Sequence, residues 1–283
     1  MSKPSMPSQR STGANHGPLP EALQPSVARM YSYWLGGKDH YAIDRAAADE
    51  VTSELPRVPE LAVENRGFLR RAVTYLASLG IEQYLDFGTG LPGPYAVHDV
   101  ARKLVPSARV VYSDIEPGVV AQGRALLVED DQTLMVAADL RDPASLFEVD
   151  TVRRLIDIDQ PVAVLLVAVL HFLSPDDQPG AVMADIISRL PAGSHVVISH
   201  ATAGSLSAKE MQGAKAVYER AGGAHPRSQA EIARLCTGLR LVSPGLVPAR
   251  DWRPDSPMTV DAETALGADC LAAVGAVTRL RAT

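Results

Sequence analysis

Cysteine is nearly missing from this chain: Cys236 and Cys270 are the two in 283 residues. Two thiols build neither a disulfide framework nor a four-thiolate zinc site, and no other His, Cys and Asp cluster has metal-ligand spacing. No charged-apolar-small leader opens the sequence, so a reducing cytoplasm is the address expected. Long hydrophobic runs are missing too. The longest, Val162–Leu170, spans nine residues, less than half of the roughly 20 that a bilayer-spanning helix needs. It reads as a buried strand, and no membrane partner is expected. Basic charge is not in excess, with 27 Lys+Arg against 33 Asp+Glu and a net −6. There is thus no global attraction to phosphate backbones, and a nucleic-acid partner is not expected. Aromatics are scarce at 5%, which makes Tyr31, Tyr33, Trp34 and Tyr41, packed into eleven residues, stand out.

What remains is ordinary globular composition, 46% apolar and 21% charged, enough for a sizeable core. Residues 1–25 are polar and rich in Pro, Ser and Gly without apolar period, and read as a disordered tail. Residues 26–80 read as a helical cap: Ser26 caps a first helix, Pro56 and Pro59 break the stretch through Ala46–Glu54, and a further helix over Leu61–Leu79 stops at Gly80. From 81 to 283 strands and helices alternate. The strands are expected at Gln83–Phe87, Arg109–Ser113, Leu134–Ala138, Val162–Leu170 and His195–His200, with later ones near Leu241–Leu246 and Leu271–Thr278. Helices are expected at Tyr95–Leu104, Gly118–Leu127, Leu146–Ile156, Ala181–Leu190, Ala208–Ala221 and Gln229–Cys236. This βαβ alternation implies an α/β fold with a doubly wound, mostly parallel sheet covered on both faces.

The first strand runs into Asp86-Phe87-Gly88-Thr89-Gly90-Leu91-Pro92-Gly93. Gly88, Gly90 and Gly93 satisfy a G-x-G-x-x-G turn, and Asp114 ends the next strand, where a carboxylate can accept from both ribose hydroxyls. An adenosine ligand follows. Asp86 beside the turn would repel a pyrophosphate but favour a cation. S-adenosylmethionine, with its α-ammonium and sulfonium and no phosphate, fits that acid better than a nicotinamide dinucleotide does. A third acid, Asp139, ends the third strand and can accept from the adenine amino group; its alternative role is to cap a turn before Pro143.

The run Pro25–Tyr41, containing Tyr31-Ser32-Tyr33-Trp34-Leu35-Gly36-Gly37-Lys38-Asp39, resembles the N-terminal Y-x-Y-x-LGGKD signature of an actinobacterial S-adenosylmethionine-dependent methyltransferase family of unassigned substrate. The resemblance continues through Gly88–Pro92, Val97-His98, Val111–Asp114, Asp139–Pro143 and Pro161–Phe172. It departs from the usual pattern at Ser32, at His40-Tyr41 and at Ile115-Glu116. It implies a seven-stranded Rossmann-like methyltransferase fold with added N-terminal helices. It also implies a cofactor site carried by Asp86, Gly88, Gly90, Asp114, Ile115, Asp139 and Leu140, with S-adenosylhomocysteine as the product. Placed there by the same signature, Tyr31, Trp34, Lys38 and Tyr41 would close over the cofactor as a lid hinged at Gly36-Gly37, the rings supplying cation–π attraction. The competing reading makes Tyr31 and Trp34 the apolar face of a helix ending at Gly36.

His171 follows the apolar strand at the sheet's carboxyl edge, where it can serve as a base or shape the pocket. His200 ends the next strand and can line the same crevice, whereas His98 suits packing. Arg29, Arg45 and Arg66 can pair with carboxylates or grip an acidic acceptor. The activity expected is methyl transfer to an oxygen or nitrogen of a small molecule. The alternatives are an NAD(P)-dependent oxidoreductase, resting on the literal glycine pattern, and a non-catalytic S-adenosylmethionine-binding regulator.

Overall fold

A computed structural model describes residues 24–202, 212, 223–255 and 269–278. The expected tail through residue 23 and most of the expected Ala208–Ala221 helix lie outside them. Three helices open the described chain: α1 (Val27–Trp34), α2 (Ala42–Glu54) and α3 (Val58–Ser78). There follow β1 (Gln83–Phe87), α4 (Val97–Ala101), β2 (Arg109–Asp114), α5 (Pro117–Leu126), β3 (Thr133–Ala137), α6 (Pro143–Glu148) and α7 (Asp150–Leu155). The chain continues through β4 (Ala163–Val167), α8 (Pro179–Arg189), β5 (His195–Thr202), α9 (Gln229–Leu235), β6 (Leu239–Leu241), β7 (Val247–Pro248) and β8 (Asp269–Val277).

These strands form one sheet in the order β3-β2-β1-β4-β5-β8-β6, with the two-residue β7 also paired to β8. The first five are mutually parallel and β8 is antiparallel to its neighbours. The expected doubly wound, mostly parallel sheet is thus present, with β7 as a short addition to seven strands. Alternation along each strand sorts the core into two faces. Tyr84, Val110, Ala163 and Leu165 pack with Phe68, Leu69, Val73 and Leu76 of α3. Leu85, Val111, Val164 and Leu166 pack with Val182, Met183 and Ile186 of α8. The α3 helix therefore belongs to the main core, while Met30 of α1 and Ala47, Ala48 and Val51 of α2 make a small core of their own.

That smaller unit is tied together by Asp44, which is fully buried. Its carboxylate accepts from Ser26 N at 2.9 Å, Arg29 Nε at 2.8 Å and Tyr41 N at 2.7 Å. Ser26, which caps α1, donates its hydroxyl to Glu116 at 2.6 Å, just ahead of α5. The α1–α2 pair is thereby latched to the end of β2.

Several expected boundaries move, for local reasons. The Val162–Leu170 strand is shortened to β4 because Ala168 turns left-handed at φ +56 and donates its amide to Ser199 Oγ at 2.8 Å. The Tyr95–Leu104 helix shrinks to Val97–Ala101, with Tyr95 at φ +63 before it and Arg102 closing it. The Leu146–Ile156 helix divides into α6 and α7 at Val149, whose backbone is extended.

Gly88 turns the chain out of β1 with φ +66, and a Cβ there would stand 2.3 Å from Val169 Cγ2. Gly90 has φ +67 but open space beside it. Gly88→Ala should therefore lose more than the roughly 1–3 kcal/mol of backbone strain alone, whereas Gly90→Ala should lose only the strain. Adding Val169→Ala should recover part of the Gly88→Ala loss; urea unfolding of the three variants checks the order.

Candidate functional site

The carboxyl ends of the parallel strands open into a cavity of about 580 Å³, in the position where doubly wound sheets hold ligands. Its lining includes Asp86 and Phe87 from the end of β1, Asp114 from β2, Val167 from β4, Ala201 from β5 and Cys270 from β8. The helical side contributes Tyr31, Trp34, Asn65, Arg66 and Leu69.

Most of the residues singled out in the sequence meet here. Tyr31, Asp86, Gly88, Gly90, Asp114, Ile115, Asp139, Leu140 and His171 all line the cavity. Lys38 does not; it is exposed beyond the end of α1. Of the aromatic cluster, Tyr31 and Trp34 reach the cavity. Tyr33 instead donates to Asp49, and Arg29 sits 5.1 Å over the Tyr41 ring. Gly36 and Gly37 close α1 by donating to the carbonyls of Tyr33 and Ser32. Arg29 pairs with Asp44, and Arg45 contacts His40 on the surface. His98 packs edge-on to Tyr112 away from the cavity, its Nδ1 2.8 Å from the phenol oxygen.

The two strand-end acids are held differently from surface carboxylates. Asp114, 8% exposed, accepts from Gly90 N at 2.9 Å and from Glu116 N at 3.0 Å. Each of its oxygens thus meets one amide and keeps a lone pair for another donor. Burial raises its pKa above the usual carboxylate range, against the pull of those amides. Asp86, 4% exposed, accepts from Thr89 Oγ1 at 2.9 Å. Burial pushes its pKa up to about 7, with Thr89 and Arg66 pulling it down and Asp114 adding to the rise. Asp139 is tied to Arg141, whose Nη2 lies 2.6 Å and whose Nε lies 2.8 Å from Oδ2. It also accepts from the Arg141 amide at 2.9 Å, so it shapes the turn as well as the wall.

His171 accepts at Nδ1 from Ala201 N, 3.3 Å away. In the neutral ring this leaves the proton on Nε2, which has no protein partner among the described residues. Burial, reinforced by His200 and Arg227, holds its pKa well below the ordinary histidine value. His200 donates from Nδ1 to Ala201 O at 2.7 Å and accepts at Nε2 from Arg227 at 2.9 Å. Its pKa falls to about 4, chiefly through burial. Both imidazoles are neutral at pH 7. At the nitrogen left free of protein, His171 is a donor, the reverse of what proton removal requires.

Sequence reasoning missed the network behind Tyr31. Its hydroxyl donates to Ala62 O at 3.1 Å and accepts from Asn65 Nδ2 at 2.8 Å, while Cys270 Sγ lies 3.7 Å from Asn65 Oδ1. Asn65 interrupts the apolar stripe Ala62, Leu69, Ala72 and Leu76 of α3, and a polar residue at such a position is the signal that could have found it.

The literal dinucleotide pattern fails in the structure. Gly93 is followed by Pro94 and by Tyr95 in a left-handed conformation, and the helix opens only at Val97. No helix N-terminus follows the glycines directly to receive a pyrophosphate, and buried Asp86 would repel one. The nicotinamide alternative is set aside on that ground.

A family model described as S-adenosyl methyltransferase matches residues 19–279. A solved structure from Thermobifida fusca YX, described as a candidate methyltransferase, is 38% identical, with a TM-score of 0.84, 93% of this chain and 99% of its own covered. A DUF574 family protein from Streptomyces avermitilis MA-4680 is 33% identical, with a TM-score of 0.82, 89% of this chain and 97% of its own covered. No curated protein matches the chain.

Because burial disfavours ionised Asp86, the side chain binds its proton more tightly folded than unfolded, and its contribution to stability is lost as pH rises from about 4 to about 7. Asp86→Asn should therefore unfold at higher urea than the parent at pH 7, with a gain that shrinks toward pH 4. A gain independent of pH would place the burial cost elsewhere.

Proposed function

The chain belongs to the S-adenosyl methyltransferase family and is an S-adenosylmethionine-dependent methyltransferase, and we propose that it methylates an oxygen or nitrogen of a small molecule. The observation that carries the site assignment is the pair of buried carboxylates, Asp86 and Asp114, on either side of the Gly88–Gly90 turn in one cavity. Bound S-adenosylmethionine supplies a methyl group on a cationic sulfonium, open to in-line displacement.

In this reading Asp114 takes the ribose hydroxyls with the lone pairs that Gly90 and Glu116 leave free. Asp86 faces the positive charge of the cofactor, which offsets the cost of keeping a carboxylate dry. Gly88 and Gly90 let the backbone come close, and Ile115 and Leu140 give the adenine its apolar walls. Asp139, braced by Arg141, borders the adenine edge. Tyr31, fixed by Ala62 and Asn65, forms the cap side. Lys38 would join the site only through movement of the segment after α1, the same movement that a lid requires.

His171 orients the acceptor through its Nε2 proton. An acceptor held by a donor must arrive with a lone pair already free, which suits a phenolate, a carboxylate or an unprotonated nitrogen. Positioning is the main contribution available to such a reaction, on the order of 7–11 kcal/mol at best. Incubation with methyl-labelled S-adenosylmethionine and a small-molecule extract tests the acceptor class. Label appearing in a low-mass product is expected; label remaining wholly on the donor overturns it.

Asp114→Ala removes an acceptor for two hydroxyls, each bond worth about 0.5–1.5 kcal/mol or more with a charged partner. Calorimetric titration should find cofactor affinity at least tenfold weaker, in a chain that still folds. Unchanged affinity would move the ribose elsewhere.

The lid proposal makes a separate prediction. Hydrogen exchange over Tyr31–Tyr41 should slow when S-adenosylmethionine is added. Equal protection with and without it would make α1 a fixed wall.

A further inference from the structure

We propose that Arg66 binds the α-carboxylate of S-adenosylmethionine and makes the enzyme selective for the intact amino acid over a decarboxylated donor. This rests on the cofactor reading above. Arg66 lies on α3 and lines the cavity. Its guanidinium rests against the glycine turn: a Cβ on Gly93 would stand 3.5 Å from Nη2. Its Nε is sealed from solvent and has no hydrogen-bond partner, an expensive state for a cation that nothing else compensates.

The other charges around the cavity already have partners. Arg141 is paired with Asp139, Asp177 accepts from Ser174, Glu116 accepts from Ser26, and Asp114 accepts from two backbone amides. Among the described residues, Arg66 is the cavity-lining cation with no ion pair or hydrogen bond. The charge nearest to it in effect is Asp86, whose ionisation it favours, as it does that of Tyr31 and Tyr112. Asp86 shares a face of β1 with Tyr84, which packs toward α3, so the acid and the arginine approach the turn from the same side.

An acid held only by the Thr89 hydroxyl among the described residues, and a cation without a partner, both beside a single glycine turn, match a group that carries both charges on one carbon. The amino-acid end of the cofactor is such a group: its ammonium suits Asp86 and its carboxylate suits Arg66. A guanidinium fork can hold a carboxylate through two parallel hydrogen bonds. A cationic donor lacking the carboxylate would satisfy Asp86 and leave Arg66 buried and unpaired.

The test compares S-adenosylmethionine with decarboxylated S-adenosylmethionine, which keeps the sulfonium and the amine. Calorimetric titration of the full chain should give at least about tenfold tighter binding of the intact cofactor. Arg66→Met should weaken S-adenosylmethionine by a similar factor, leave the decarboxylated analogue unchanged, and bring the ratio to about one. Arg66→Lys should restore part of the preference. If the parent chain binds both ligands equally, this inference fails while the cofactor reading stands. If Arg66→Met weakens both equally, the arginine is structural; if it weakens neither, its charge serves another ligand, and either result overturns the proposal. A parent chain that binds neither donor overturns the cofactor reading and this inference together.

Discussion

Everything in the cavity is arranged around the cost of keeping carboxylates away from water. Asp86 and Asp114 end adjacent parallel strands, so the sheet itself brings two like charges to one crevice. Backbone amides offset part of that cost for Asp114, because the turn after β1 points Gly90 N at it and the start of α5 points Glu116 N at it. Among the described residues, Asp86 receives only the Thr89 hydroxyl. A cationic ligand offsets the remaining cost, and selection for such a ligand is built into the fold as unfavourable electrostatics.

The far wall of the cavity follows the opposite policy. His171 lines it, while His200, expected to line the same crevice, is fully buried and does not reach the lining; the two rings pack edge-on, 5.5 Å apart between centres, and both are kept neutral. Burial is the main cause, and Arg227 adds to it, donating to His200 and to the carbonyls of Leu170 and Leu173 and so bringing a positive charge beside both rings. A positive methyl donor would gain nothing from further cations at this wall, and neutral imidazoles avoid that repulsion. One side of the crevice thus carries the two carboxylates with Arg66 beside them, and the other presents a neutral imidazole.

The parallel sheet was legible because each strand is a short apolar run bounded by turn residues, and burial on both faces demands that pattern. The glycine turn and the acids were legible because strand ends are where the chain leaves the core, so a Gly or Asp there has few structural reasons to exist. The roles of the arginines were not legible. Arg29, Arg45 and Arg66 look alike in sequence, and only the packing of α1 on α2 and of α3 on the sheet sends one to Asp44, one to the surface and one into the cavity. His171 was found by position, but its proton could not be placed: the tautomer depends on the amide of Ala201, thirty residues away on another strand. The early end of β4 was hidden for the same reason, since Ala168 turns where a serine of β5 takes its amide.

The last strand of the sheet is not at its edge. β8 is inserted between β5 and β6, both of which precede it in the chain. As the polypeptide leaves the ribosome, β5 therefore has an unpaired edge until residues 269–277 have emerged, and that open edge is a place where a growing chain can pair with the wrong partner. The strands β1, β2 and β3 lie on the other side of the sheet and are made first. The half that carries Asp86, Gly88 and Asp114 can assemble while the half that closes the sheet is still being synthesised, so order of synthesis favours the ligand-bearing half over the sheet's final seal.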